Sequence, residues 1–196
     1  MDKLITDLVE CFDRGTLSRR HLIQGLTALA AAGGALPAAA QQAPFKSSRI
    51  DHISVQTTNL ARSIDFYTRY LQLHVTEVVG KHYAFLTAGT YHHEIALQNV
   101  GPDAPHPSAR GTGLYHVAFE VPDKRSFALA YRALNEAGIP VAAVDHFISW
   151  AMYFDDPDGN GLEIYWDTRD QTSGRQLWHG DNAPLEDTTI LAALAE

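Results

Sequence analysis

The chain has 196 residues, 45% of them hydrophobic and 19% charged, which is typical of one globular domain with short appendages and excludes a largely disordered chain. Its 23 acidic and 15 basic residues give a net charge of -8, so nucleic-acid phosphates would be repelled and no nucleic-acid partner is expected. The single cysteine, Cys11, precedes the main domain, which excludes disulfides and thiolate metal sites from that domain.

Residues 1–45 differ in composition from the rest of the chain. Arg19 and Arg20 precede an alanine- and glycine-rich run over residues 25–40, which resembles a twin-arginine export signal ending in a small-residue cleavage site. The run lacks the large apolar residues of a membrane span, so no membrane association is expected for the mature chain. This pattern predicts a periplasmic or secreted protein. The alternative is a retained extension, favoured by the helical spacing of apolar residues in segment 4–12, and the protein would then be cytoplasmic.

Residues 46–168 contain two copies of one pattern. In each copy an alternating strand is followed by an amphipathic helix and then by three short apolar runs, which predicts a βαβββ module. The predicted elements are 50–56, 58–71, 74–79, 83–87 and 94–98 in the first copy, and 113–121, 124–137, 141–147, 151–154 and 161–166 in the second. The predicted fold is therefore α+β, with two tandem modules whose eight strands form a cup-shaped mixed sheet. Residues 156–160, Asp-Pro-Asp-Gly-Asn, predict a tight turn before the last strand.

Three candidate metal ligands occupy related places in the two copies. His52 and His116 hold the same position in the first strand of each copy, and Glu163 lies in the last strand of the second. The first-copy counterpart of this glutamate is Ala96. A carboxylate in an apolar strand is costly unless it is paired, and a metal would satisfy it. Two imidazoles and one carboxylate with open coordination positions are typical of a non-haem Fe(II) centre, so the sequence predicts an iron site inside the cup.

The most specific motif lies between residues 145 and 165. The Asp-Pro-Asp-Gly-Asn turn is followed by Glu163 and preceded by His146 and Tyr153, while Tyr-His-His-Glu-Ile-Ala-Leu occupies residues 91–97. With these motifs, the segment 49–168 resembles the vicinal oxygen chelate superfamily, and within it the extradiol ring-cleaving dioxygenases. That superfamily is built from paired βαβββ modules around a metal ion.

The resemblance implies roles for six side chains. The metal ligands would be His52, His116 and Glu163. Of the residues that act on the substrate, His93 would be the acid-base histidine, Tyr153 the active-site tyrosine and His146 a further histidine. Strand alternation counted from Ala96 opposes the role of His93, because it turns His92 and Glu94 inward instead. His93 reaches the site only if the strand begins after it or contains a bulge.

The resemblance also implies an activity. The expected reaction is Fe(II)-dependent cleavage of a catechol-like aromatic substrate by dioxygen next to its diol, with Mn, Zn, Ni or Co as alternative metals. Two other functions stay open: a non-oxidative glyoxalase-like lyase or isomerase, and a metal-free small-molecule-binding module of the same fold. Proteins of this kind often pair, so a homodimer is expected. Residues 169–196, with a predicted helix over 184–195, should pack on the domain or on a partner subunit.

Overall fold

A computed structural model describes residues 47–108 and 111–195, together with residues 6, 9–11 and 14. The chain divides into two compact units, residues 1–50 and 51–196. In the first unit the described residues 9–11 are helical, and the Arg14 guanidinium donates to the Glu10 carboxylate at 3.1 Å. The proposed export signal lies outside the described residues, so export stays a prediction. No helix among the described residues is long and apolar enough to span a bilayer.

The second unit begins with a βαβββ module. Its elements are β1 (Ile53–Thr57), α1 (Leu60–Tyr70), β2 (His74–Val79), β3 (Tyr83–Thr87) and β4 (Ile95–Asn99). Helix α1 starts at Leu60 because the Asn59 side chain accepts the backbone N–H of Arg62 at 3.1 Å, which caps the helix. The strands form one sheet in the order β1-β4-β3-β2, with β1 and β4 parallel and the other pairs antiparallel.

A second module repeats this arrangement. It contains β5 (Val117–Glu120), α2 (Lys124–Glu136), β6 (Ala142–Asp145), β7 (Ser149–Asp155) and β8 (Gly161–Asp167). Asp123 caps α2 by accepting the backbone N–H of Ser126 at 2.6 Å. The sheet order is β5-β8-β7-β6-β9, where β9 (Ala183–Pro184) comes from the tail. Again the first and last strands of the module, β5 and β8, are parallel.

The predicted α+β architecture of two tandem βαβββ modules is confirmed. All eight expected strands form, but backbone pairing divides them between two mixed sheets, and the strands do not close into a barrel. The tail contributes the additional strand β9 and the helix α3 (Asp187–Ala192). The predicted helix over 184–195 is shorter in the structure, because Ala183 and Pro184 pair with β6 before α3 begins.

The apolar core lies where the helices cover the sheets. Tyr67 of α1 and Phe127 of α2 are completely buried, and so is Ile190 of α3, which packs in the same core cluster. Each such side chain stabilises the fold by about 1.5–3 kcal/mol when it leaves water. The tail helix is therefore part of the core of the second unit.

The turn between β7 and β8 connects the second module to the first. The Asp158 carboxylate is 3% exposed and accepts the hydroxyls of Thr57 and Thr58 at 2.6 and 2.5 Å, and the Arg62 guanidinium at 2.6 Å. Burial alone would raise the pKa of Asp158, but these hydrogen bonds outweigh it and lower the pKa to about 2. The turn was expected from its sequence. Its buried contacts to the β1–α1 junction depend on tertiary packing.

Candidate metal and substrate site

Glu163 and His116 form the centre of the candidate site. Glu163 lies on β8 and is 8% exposed, and its carboxylate Oε2 is 2.9 Å from Nε2 of His116, the residue directly before β5. The parallel pairing of β5 with β8 places Val117 opposite Leu162 and so brings His116 and Glu163 together. A buried carboxylate without a partner would cost several kcal/mol, and the imidazole provides one.

The close approach of β5 and β8 requires a glycine. A Cβ atom added at Gly161 would lie 2.1 Å from the carbonyl oxygen of Tyr115, a distance that no side chain can occupy. Gly161 therefore allows the backbone before His116 to lie against β8. Sequence reasoning assigned no role to this residue, although its place directly after the Asp-Pro-Asp-Gly-Asn turn was a possible signal.

The two ring nitrogens of His116 have different surroundings. Nε2 faces the Glu163 carboxylate at 2.9 Å, so a metal ion shared with Glu163 would be bound by Nε2. Nδ1, on the other side of the ring, is buried and has no hydrogen-bond partner among the described residues. Imidazole and carboxylate are both common ligands of divalent transition metals. The pair His116–Glu163 therefore fits a metal ion of the expected type.

The third predicted ligand, His52, lies in the first module. It directly precedes β1, its side chain is 47% exposed, and its Nδ1 is 3.5 Å from the Asp51 carboxylate. Among the described residues, no group of three or more histidine, cysteine, aspartate or glutamate side chains is arranged to hold a metal ion. The structure thus brings two of the three predicted ligands together and does not join His52 to them. Ligation by all three stays a prediction.

His93 lies beside His52. Their ring centroids are 4.6 Å apart, and the ring of Phe85 lies 4.7 Å from that of His93. Strand β4 begins at Ile95, after His93, so the alternation of side chains along the strand does not apply to this residue. Alternation therefore gives no reason to turn His93 away from the site. Burial and the neighbouring rings of His52 and His92 lower the pKa of His93, which favours its neutral form.

Tyr153 and His146 lie on the side of Glu163. Tyr153 on β7 is directly opposite Glu163 on β8, and its ring centroid is 5.3 Å from that of His116. Its hydroxyl is 2.9 Å from Nε2 of His146, which directly follows β6. Burial and the negative charge of Glu163 raise the pKa of Tyr153 to about 12, so the phenol keeps its proton at neutral pH. Four of the six predicted residues therefore form one connected group.

A cavity of about 360 Å³ opens beside this group. Such a volume is within the range of small-molecule sites, about 300–1,000 Å³. His116, Tyr153 and Asp155 supply polar groups to its wall, and Pro140, Val141 and Leu162 supply apolar ones. A cavity with apolar side chains along part of its wall and an imidazole and a phenol beside them can hold a small aromatic molecule and orient its hydroxyl groups.

Comparison with known proteins identifies relatives among dioxygenases. The chain is 33% identical over 136 residues to catechol-2,3-dioxygenase of Bacillus subtilis (strain 168). The aligned region is 69% of this chain and 46% of that protein. It is 32% identical over 118 residues to biphenyl-2,3-diol 1,2-dioxygenase 3 of Rhodococcus globerulus, and this aligned region is 59% of this chain and 62% of the relative. The chain thus spans about half to three-fifths of the length of these curated relatives.

Solved structures share the fold. A glyoxalase/dioxygenase from Nostoc punctiforme superposes with a TM-score of 0.52 at 24% identity, over 64% of this chain and 94% of that one. A glyoxalase/bleomycin resistance protein/dioxygenase from Nocardioides gives a TM-score of 0.51 at 20% identity, over 74% and 95% of the two chains. The sequence profile of one family matches residues 49–164, which contain the first module, the second module as far as the middle of β8, and every predicted site residue. The chain therefore belongs to the Glyoxalase/Bleomycin resistance protein/Dioxygenase superfamily.

Proposed function

We propose that the protein is an extradiol-type dioxygenase that depends on Fe(II) and cleaves a catechol-like ring next to its diol. The observation that carries the proposal is the contact of His116 with the buried Glu163 carboxylate at 2.9 Å, with Tyr153 directly opposite that carboxylate. The names of the curated relatives, a catechol and two biphenyl-diol dioxygenases, support the same class of substrate.

The metal would be held by His116 and Glu163, with His52 as the third ligand. The exposed His52 side chain makes a hydrogen bond to Asp51 at the upper limit of length, and its ring lies against that of His93. When bound, Fe(II) would supply a point at which the two oxygens of a diol and dioxygen are held together and activated. Mn, Zn, Ni and Co are alternatives for such a ligand set.

The side chains of the protein would manage the protons of the substrate. His93, whose pKa is lowered, is neutral near pH 7 and can take a proton from a substrate hydroxyl and return it later in the reaction. Tyr153 stays protonated, and its hydroxyl can form a hydrogen bond with a substrate oxygen. The apolar walls around Val141 and Leu162 would pack against the ring and exclude water.

Oxygen uptake tests this proposal directly. The protein would be loaded with Fe(II) without air, mixed with a panel of substituted catechols, and followed with an oxygen electrode and by the absorbance of the ring-opened product. We expect uptake that depends on both iron and catechol. Bound iron without uptake on a broad panel would contradict the proposed reaction.

A matched pair of glutamate variants tests the metal site. Glu163→Gln removes the buried negative ligand, and we expect it to weaken metal binding at least tenfold, as measured by calorimetry. Glu120→Gln is the control, because Glu120 is an exposed glutamate on the neighbouring strand β5. Equal metal affinity in both variants would show that Glu163 is not a ligand.

The glyoxalase-like alternative has a weaker structural basis. Glyoxalase-like enzymes often use a fourth protein ligand from the last strand of the first module, and Ala96 occupies that position, paired with Phe85 as Glu163 is paired with Tyr153. Nickel or zinc retained through purification, with turnover of a non-aromatic substrate and without oxygen uptake, would favour this alternative. Ligand binding that persists in metal-free protein and in His116→Ala would favour the binding module.

A further inference from the structure

The C-terminal tail holds the loop that carries His146. The backbone N–H of Arg175 donates to the carbonyl of Phe147 at 2.8 Å, and the Arg175 guanidinium lies 4.0 Å above the Phe147 ring. Phe147 has a φ of 64°, a conformation that a bulky residue keeps only when its surroundings enforce it. Arg175 is itself fixed by an ion pair with Asp181 at 2.6 Å. The tail thus contacts Phe147 through both its backbone and its ring, in addition to the bond that the Phe147 N–H donates to the Asp145 side chain at 2.7 Å.

A chain of hydrogen bonds leads from the tail to the candidate site. The indole Nε1 of Trp178 is 3.1 Å from Oδ1 of Asn182, and the same oxygen is 2.5 Å from Nδ1 of His146. On the other side of the imidazole, Nε2 is 2.9 Å from the hydroxyl of Tyr153. The rings of Trp178 and His146 also meet edge to face, with centroids 5.6 Å apart.

The donors and acceptors in this chain have only one consistent assignment when the imidazole is neutral. The indole N–H can only donate, and it is shared between the Asp181 carbonyl at 2.7 Å and Asn182 at 3.1 Å. An amide N–H of Asn182 at that distance would repel it, so the Asn182 atom that faces it is the carbonyl oxygen. The same oxygen faces Nδ1 of His146, so Nδ1 must carry the proton. A neutral imidazole then accepts at Nε2, and the Tyr153 hydroxyl is the donor to it.

We propose that Asn182 is a positioning residue that fixes the tautomer of His146 and, through it, the direction of the Tyr153 hydroxyl. With its proton directed at His146, the Tyr153 oxygen presents its lone pairs to the cavity and can accept a hydrogen bond from a substrate hydroxyl. The tail therefore orients the group that would receive the substrate. Only this last step rests on the proposed function, because the tautomer itself follows from the hydrogen bonds.

Nitrogen NMR of the histidine side chains tests the proposal without any turnover. The full chain would be labelled with ¹⁵N, and the His146 signals assigned by their loss in His146→Gln. Long-range proton–nitrogen spectra distinguish the two neutral tautomers from each other and from the imidazolium. In the wild type we expect the proton on Nδ1. A proton on Nε2, or a doubly protonated ring at neutral pH, would overturn the proposal.

Two substitutions at one position separate the hydrogen bond from the packing. Asn182→Leu removes the acceptor and should shift His146 to the Nε2–H tautomer, whereas Asn182→Asp keeps an acceptor and should retain the proton on Nδ1. Gln176→Leu is the control, because Gln176 lies in the same tail but bonds to the Arg169 carbonyl instead. An unchanged tautomer in Asn182→Leu would refute the role of Asn182.

A further variant keeps the test informative if Asn182→Leu does not fold. Trp178→Phe retains an aromatic ring against His146 but removes the indole donor, which frees the Asn182 amide to turn over. Both tautomers should then be populated, and an unchanged single Nδ1–H state would contradict the role of the Trp178 indole in fixing the Asn182 amide.

Kinetics then connect the tautomer to the proposed reaction. If catechols are turned over, kcat should fall roughly 10- to 100-fold in Asn182→Leu, the range seen when groups that orient a functional histidine are removed. KM should change less, and Asn182→Asp should restore most of the rate. Absence of turnover in the wild type would contradict the proposed function but leave the tautomer assignment standing, so the two failures are distinguishable.

Discussion

The buried Asp158 carboxylate offers a quantitative test of how the two modules are held together. Asp158→Asn keeps the shape of the side chain but removes its charge, so it resembles the protonated carboxyl. The pKa of Asp158 is held at about 2, against an ordinary value of 3.8. At about 1.4 kcal/mol for each pKa unit, the difference corresponds to roughly 2–3 kcal/mol of stability at neutral pH.

The pH dependence of this loss has a defined sign. Because the pKa of Asp158 is lower in the folded chain than in the unfolded one, its contribution is complete above about pH 4 and is lost as the pH falls through about 2. Asp158→Asn lacks the contribution at every pH. The gap in unfolding free energy between wild type and variant should therefore be about 2–3 kcal/mol at pH 7 and should narrow steadily below pH 4.

Urea denaturation of the metal-free protein, followed by tryptophan fluorescence at several pH values between 7 and 2.5, measures this gap. Asp65→Asn is the matched control, because Asp65 forms an exposed ion pair with Arg69 four residues along the same helix. That variant should lose at most about 0.5 kcal/mol. A loss below 1 kcal/mol in Asp158→Asn at pH 7, or a gap that does not change with pH, would refute this account of the turn.

Three further changes have defined outcomes. Gly161→Ala should destabilise the chain by roughly 1–3 kcal/mol and weaken metal binding, because the added methyl group would displace the Tyr115 backbone next to His116. A wild-type melting curve with unchanged metal affinity would contradict this prediction. Tyr131→Phe removes the hydrogen bond to Asp187 of the tail helix and should lower the free energy of unfolding by about 1 kcal/mol, measured by thermal unfolding. An unchanged Tm would show that this hydrogen bond does not stabilise the fold. His116→Ala should reduce metal retention measured by elemental analysis at least tenfold, and full retention would remove His116 from the ligand set.

Local patterns in the sequence were sufficient for the architecture. The repeated order of strand, helix and three strands predicted two βαβββ modules, because alternation and helical periodicity report directly on which faces are buried. The same argument located the buried Glu163 in the last strand and its partner His116 at the start of the second module, where the structure pairs them at 2.9 Å. The Asp-Pro-Asp-Gly-Asn turn likewise formed where it was predicted.

Contacts between distant segments required the tertiary structure. Alternation could not place His93, because the residue at which β4 begins depends on its pairing with β1 and β3. Nothing local indicated that Asp158 would bind Thr57, about one hundred residues earlier, or that Asn182 would reach His146. The sequence by itself determined which residues prefer burial and in which elements they lie, because those preferences are local. The packing of the two modules and the tail decided which polar groups meet, because a buried polar group takes whatever partner the folded chain brings within hydrogen-bond distance.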